Sequence, residues 1–114
     1  MPFINSKVNV PITKEQEITI KTKLGKAISL IPGKSEAWLM VGFEDEAKLY
    51  FKGDGDSKIA FVEVKIFGKV SSQAYDNLTK EICNIYEEVL GIAQDKIYVK
   101  YEEVSNWGWN GSNF

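Results

Sequence analysis

Pro2 is the residue of this 114-residue chain with the most specific chemical potential. It follows Met1 and precedes Phe3-Ile4-Asn5-Ser6-Lys7-Val8-Asn9-Val10, whose alternation reads as a strand. Removal of Met1 would turn the proline ring nitrogen from an amide into a free secondary amine. A strand folded directly behind it would hold that base in one place. The chain has no histidine, which removes the usual general base, the Ser-His and Cys-His nucleophile systems and the commonest zinc ligand. Cys83 is its one cysteine, so an intrachain disulfide, a Cys-x-x-Cys pair and a thiolate metal site are all excluded, and neither metal nor cofactor is expected. Proton chemistry then falls to Asp, Glu, Lys, Tyr or the terminal amine. A terminal amine starts near neutrality, at about 8, and an apolar setting lowers it further by disfavouring the charged form.

The remaining composition is that of an ordinary globular domain, with 44% apolar and 26% charged residues. One domain over residues 1–114 is expected. A net charge of −2 supplies no basic field for phosphates, which argues against nucleic-acid binding. The apolar runs are too short for membrane insertion, and the first residues lack the apolar stretch of a secretory signal, so the cytoplasm is the expected compartment. Two glycosylation sequons, Asn77-Leu78-Thr79 and Asn110-Gly111-Ser112, are for that reason not expected to be modified.

The elements that would position Pro2 come from an internal repeat. At a constant offset of 58 residues, Phe3-Ile4 falls on Phe61-Val62, Lys7-Val8 on Lys65-Ile66 and Thr13 on Ser71. Ile20 meets Leu78, Leu24 meets Ile82, Gly33 meets Gly91, and Leu39, Val41, Phe43 and Glu44 meet Ile97, Val99, Tyr101 and Glu102. Each half, about 3–44 and 61–102, reads strand, helix, strand. In the first, Thr13-x-x-Gln16 is a capping box, Ile20, Leu24, Ala27, Ile28 and Ile31 form a helical stripe, and Pro32-Gly33 ends it. In the second, Ser71 or Ser72 caps a helix with Tyr75, Leu78, Ile82, Ile85 and Val89 on one face, stopped at Gly91. Lys48–Lys52 reads as a short strand and Gly53–Ser57 as an acidic turn without the glutamate-terminated pattern of a calcium loop.

Two strand–helix–strand units predict an α+β fold: a four-stranded mixed sheet with both helices on one face. Alternation assigns Ile4, Val8, Val62, Val64, Ile66, Leu39, Val41, Phe43, Ile97, Val99 and Tyr101 to the helix side. The other side receives Asn5, Lys7, Glu63, Lys65, Lys100 and Glu102 among Phe3, Phe61, Phe67, Trp38 and Tyr98. A face so mixed is expected to be covered by other subunits.

Several separated segments resemble the macrophage migration inhibitory factor family of the tautomerase superfamily: Met1-Pro2, Asn9-Val10-Pro11, Gly33-Lys34, Phe67-Gly68-Lys69, Asp95-Lys96-Ile97-Tyr98-Val99 and Asn106-Trp107-Gly108-Trp109-Asn110-Gly111-Ser112-Asn113-Phe114. The resemblance runs from end to end. It implies the tautomerase fold, a homotrimer of tandem β-α-β units, keto–enol tautomerase activity on aromatic 2-keto acids such as phenylpyruvate or on dopachrome-like substrates, and a cytokine role outside cells. The alternative reading is therefore a ligand secreted without a signal peptide, acting on a cell-surface receptor through the trimer surface.

Residue by residue, the resemblance makes Pro2 the general base and Lys34 the partner of the substrate carboxylate. Phe67 offers its backbone amide to the substrate, Tyr98 comes from the neighbouring subunit, and Trp107 and Trp109 build the apolar wall. Trp109, Phe114 and Phe3 are the groups expected to desolvate the base. Lys100 stands where the family commonly has asparagine, so a second positive charge either strengthens carboxylate binding or obstructs the site. The stretch around Ser57 to Val62 lacks the Cys-x-x-Cys of the vertebrate members, so thiol–disulfide activity tied to it is not expected.

Overall fold

The computed structural model describes all residues 1–114. Its elements are β1 (Pro2–Val8), α1 (Lys14–Ala27), β2 (Met40–Glu44), β3 (Ala60–Phe67), α2 (Ser72–Leu90), β4 (Ile97–Val104) and a two-stranded hairpin, β5 (Gly108–Trp109) and β6 (Ser112–Asn113). β3 starts 58 residues after β1, and α2 starts 58 after α1.

Local signals account for both helices. Thr13 accepts from the Gln16 amide while Gln16 reaches back to the Thr13 N–H, a reciprocal capping box. Ser71 caps α2 through the Ala74 amide. Gly91 ends α2 at φ 70°, a left-handed conformation that costs any residue with a Cβ about 1–2 kcal/mol. α1 stops at Ala27 and tightens into a 3₁₀ turn, Ile28–Leu30, so Ile28 and Ile31 stay buried without prolonging the α-helix.

The sheet order is β2-β1-β3-β4; β1 and β2 are parallel, β3 and β4 are parallel, and β1 and β3 meet antiparallel at the centre. One face of this mixed sheet packs on both helices. Ile4, Val8, Val62, Val64 and Ile66 are buried there against Ile20, Leu24, Leu78, Ile82 and Ile85, each burial favouring the fold by roughly 1.5–3 kcal/mol. Leu39, Val41, Phe43, Val99 and Tyr101 pack around this core. One polar residue is fully buried: the Ser6 hydroxyl bonds the Tyr86 hydroxyl, joining β1 to α2.

The opposite face has no second layer within the chain. Phe3, Phe61, Glu63 and Lys65 are half-buried there and Met40, Tyr98, Lys100 and Glu102 are exposed. Asn5 donates to Glu44 at 2.8 Å, and Lys100 approaches Glu102 at 3.8 Å.

Two expectations are corrected. Lys48–Lys52 is not a strand. Glu46 and Ala47 spend their amides on the Val10 and Val8 carbonyls, after which Lys48–Tyr50 find no neighbouring strand and make no backbone hydrogen bond. Phe51 and Asp54 then exchange both bonds around Lys52-Gly53 at φ 54° and 80°, a tight primed turn. Trp38 is not on the sheet face either. Strand β2 begins only at Met40, and the preceding Glu36–Trp38 form a 3₁₀ turn closed by the Leu39 amide on the Glu36 carbonyl, which takes the indole out of the strand alternation.

Candidate active site

Strand register brings the start of the chain, Lys34, Phe67 and the C-terminal hairpin to one end of the sheet. Pro2 pairs with Ile66 because β1 and β3 are antiparallel, so Phe67 lies beside the chain start. The parallel β1–β2 pairing opens with Phe3 opposite Met40, which places the segment before Met40 over the same end. The β3–β4 pairing closes with Phe67 opposite Val104, so the residues after Val104 emerge there too. Three connections thus converge on Pro2.

Gly33, at φ 80°, precedes Lys34, whose side chain reaches the end of β3. The Lys34 Nζ donates to the Phe67 carbonyl at 3.1 Å, and the Phe67 amide donates to the Met1 carbonyl at 3.2 Å. The terminal amine, here that of Met1, lies below its ordinary value. Burial is the largest cause, followed by the positive charge of Lys34 and a hydrogen bond with it. Pro2, whose nitrogen is an amide in this form, is itself buried.

The walls are aromatic. A cleft of about 580 Å³ beside Met1 and Pro2 is lined by Phe3, Trp38, Met40, Trp107 and Trp109 among its ten residues. A second concavity of about 270 Å³ that also borders Met1 and Trp38 is lined by Phe67 and Phe114 as well. Trp38 meets Trp109 edge to face at 5.1 Å, Phe114 stacks parallel to Trp109 at 6.4 Å, and Phe67 lies 5.7 Å from Phe114. Such contacts hold rigid apolar surface in place at small entropic cost. Lys34 is the one charged group of this chain placed at the terminal amine. Proton transfer at a carbon next to a carbonyl, in a substrate with one anionic end and one aromatic end, suits this arrangement.

Of the residues singled out from sequence, Pro2, Lys34, Phe67, Trp107 and Trp109 come together, as do Phe3 and Phe114. Tyr98 and Lys100 do not. Tyr98 pairs with Phe61 at the other end of β3, which is roughly 20 Å from Phe67 at strand rise. It packs edge-on against Phe51, 5.1 Å away, and Lys100 pairs with Glu63 in mid-sheet. Trp38, Met40 and the 3₁₀ turn that brings Trp38 to the cleft escaped the sequence reading. The hairpin carrying Trp109 was foreshadowed by Asn110-Gly111, a dipeptide that favours a two-residue primed turn; both residues have positive φ, 52° and 88°.

The buried Cys83 thiol is pushed up by burial and by Glu87, which leaves it protonated and outside this chemistry.

Rat macrophage migration inhibitory factor is 27% identical over 116 aligned residues, covering 100% of this chain and 99% of the relative. Among solved structures, Leishmania major MIF2 superposes with a TM-score of 0.93 at 28% identity, covering 100% of this chain and 97% of that one. A macrophage migration inhibitory factor homologue from Prochlorococcus marinus superposes with a TM-score of 0.83 at 29% identity, with 98% of each chain covered. The family model for macrophage migration inhibitory factor matches residues 1–114, and with the tautomerase fold in place the chain belongs to that family.

Proposed function

We propose that this chain, once Met1 is removed, is a cofactor-free keto–enol tautomerase acting on aryl 2-keto acids such as phenylpyruvate. The observation that carries the proposal is the set of contacts made by Met1. Its amine lies against Lys34 and its carbonyl takes the Phe67 amide. Loss of Met1 leaves Pro2 as the terminal amine beside the same lysine and frees the Phe67 N–H for an incoming oxygen.

In the proposed reaction the Pro2 nitrogen takes a proton from the carbon next to the keto group, and the electron pair of the broken C–H bond moves to the carbonyl oxygen. The protonated amine returns the proton to that oxygen, directly or through water, which yields the enol and restores the free base. The surroundings that lower the proton affinity of the terminal amine in the chain carrying Met1 would act on Pro2 in the same way, enlarging the unprotonated fraction that can act as base while the amine still binds the proton it removes. Lys34 receives the carboxylate and fixes the carbon–hydrogen bond relative to the base. Trp38, Trp107 and Trp109 take the ring and keep water from the amine.

We also propose that the site is completed across a subunit boundary in a homotrimer. The open sheet face is compatible with this, and so is the separation of Tyr98 and Lys100 from Pro2 in their own chain. Tyr98 from a neighbour would close the substrate's anionic end, and Lys100 would add a second positive charge.

The test is phenylpyruvate tautomerisation by protein whose intact mass shows Met1 absent, beside Pro2→Gly. Turnover in the first and a loss of about a hundredfold in the second are expected; equal turnover would exclude the proline base.

A further inference from the structure

The hairpin that carries Trp109 turns on Asn110-Gly111, both exposed and both at positive φ, 52° and 88°. The Asn110 side-chain amide makes no hydrogen bond, whereas those of Asn5, Asn9, Asn77 and Asn84 all do. No other asparagine of the chain precedes a glycine. Asp54-Gly55 is the nearest relative of this dipeptide, and there the Asp56 amide at 2.8 Å and the Ser57 hydroxyl at 2.6 Å fasten the Asp54 carboxylate.

Asparagine before glycine is open to attack from its own backbone. The following amide nitrogen closes a five-membered ring on the side-chain carbonyl carbon, and glycine brings no β-carbon to obstruct it. Closure needs the primed turn to open. Each strand of the hairpin has only two residues, and two-stranded hairpins are marginal by themselves, so this opening is among the easier local motions of the fold.

We propose that Asn110 is a site of spontaneous deamidation whose isoaspartyl product displaces the aromatic wall of the candidate site. The Gly111 nitrogen bonds to the Asn110 side-chain carbonyl carbon. The bond from that carbon to the side-chain nitrogen breaks, and ammonia leaves with the proton of the Gly111 amide. Water then opens the succinimide. Opening at the side-chain carbonyl gives aspartate; opening at the main-chain carbonyl gives isoaspartate, whose main chain is one methylene longer.

A two-residue turn has no slack for that methylene. Across it Trp109 pairs with Ser112 and Gly108 with Asn113, and the Phe114 amide donates to the Trp107 carbonyl at 3.1 Å. Isoaspartate breaks this register. With it go the contacts of Trp109 with Trp38 at 5.1 Å and of Phe114 with Phe67 at 5.7 Å. Aspartate keeps the turn, because Asp-Gly favours the same primed geometry. The catalytic consequence rests on the tautomerase reading; the modification does not.

The experiment incubates Met1-free wild type and Asn110→Gly for days at mildly alkaline pH. Peptide mapping, isoaspartyl methyltransferase labelling and the Trp109 indole N–H resonance follow the protein, and phenylpyruvate kinetics are run on the separated fractions. Wild type should gain the mass difference between an amide and a carboxyl in the peptide holding Asn110, with methyl label in its isoaspartyl fraction. That fraction should show a shifted Trp109 resonance and KM raised about fivefold with kcat within about twofold, since the wall is disturbed and the base is intact. Asn110→Gly keeps a turn-forming dipeptide and should hold KM and resonance constant. Fresh Asn110→Asp should stay within about twofold of wild type in KM, which separates the charge from the longer chain. No mass gain at Asn110 would overturn the proposal, as would an isoaspartyl fraction with the wild-type resonance or an equal drift in Asn110→Gly. Absence of turnover in fresh wild type would overturn the tautomerase reading, and the mass and the resonance would then decide the modification.

Discussion

Lys34 and Phe67 are 33 positions apart in the chain, yet the Lys34 ammonium donates to the Phe67 carbonyl at 3.1 Å. This bond ties the connection between α1 and β2 to the end of β3, directly beside the terminal amine. The lysine is thus held on one side by a carbonyl while its charge acts on the amine.

Protein that retains Met1 is expected to be inactive. Its proline nitrogen is an amide without an available lone pair, and its Met1 carbonyl occupies the Phe67 amide. Preparations of each form, defined by intact mass and assayed on phenylpyruvate, should differ by at least about a hundredfold.

Lys34→Ala should raise KM for phenylpyruvate by about tenfold or more, since a charged hydrogen bond contributes roughly 1.5–3 kcal/mol. It should also move the pH profile. In the chain with Met1 the terminal amine is held below its ordinary value first by burial and then by the lysine's charge. The Pro2 amine left beside the same lysine should therefore rise in pKa when the lysine is removed. The base is active when unprotonated, and the acid limb of kcat/KM therefore shifts to higher pH in the variant. A limb that stayed in place would show that burial alone tunes the amine.

Mixing two inactive chains tests the shared site. Pro2→Gly and Tyr98→Ala subunits assayed separately should each be impaired. Co-expressed, they should form some sites with an intact Pro2 from one chain and an intact Tyr98 from the next, and recover part of the wild-type rate. No recovery in verified mixed oligomers would place Tyr98 outside the site.

The Ser6–Tyr86 pair is fully buried, and removing either hydroxyl leaves the other without its partner. Ser6→Ala and Tyr86→Phe should each cost about 1–3 kcal/mol by urea denaturation. The double variant should cost less than the two singles together, because no orphaned hydroxyl remains. The same burial pushes the Tyr86 phenol up to about 12, so no ionisation of this group is expected to disturb the core between pH 5 and 9.

Much of the architecture is legible locally. The Thr13–Gln16 capping box, the Ser71 cap and the Gly91 stop involve groups a few residues apart, and their geometry depends on little else. The alternation of β1 and β3 and the helical stripes of α1 and α2 are periodic properties of short windows, so the sheet and its helix-facing side follow from them. Pro2, Lys34, Phe67, Trp107 and Trp109 were legible because their ordered segments match a family pattern.

The rest depends on strand register and on what chain crossings leave exposed. Trp38 looked like a strand residue because nothing within a few positions marks the 3₁₀ turn that precedes Met40. Lys48–Tyr50 have strand-like composition, but a strand needs a neighbour for its amides, and none lies within this chain. The contact of Phe67 with Met1 arises because antiparallel pairing sets Pro2 opposite Ile66, and the separation of Tyr98 from Pro2 arises because the parallel β3–β4 register sets Tyr98 opposite Phe61, at the other end of β3. Residue types and short spacings carry the local geometry of this protein, while the composition of its site is a long-range property: hydrogen-bond register and side-chain packing determine which distant segments end beside the amine.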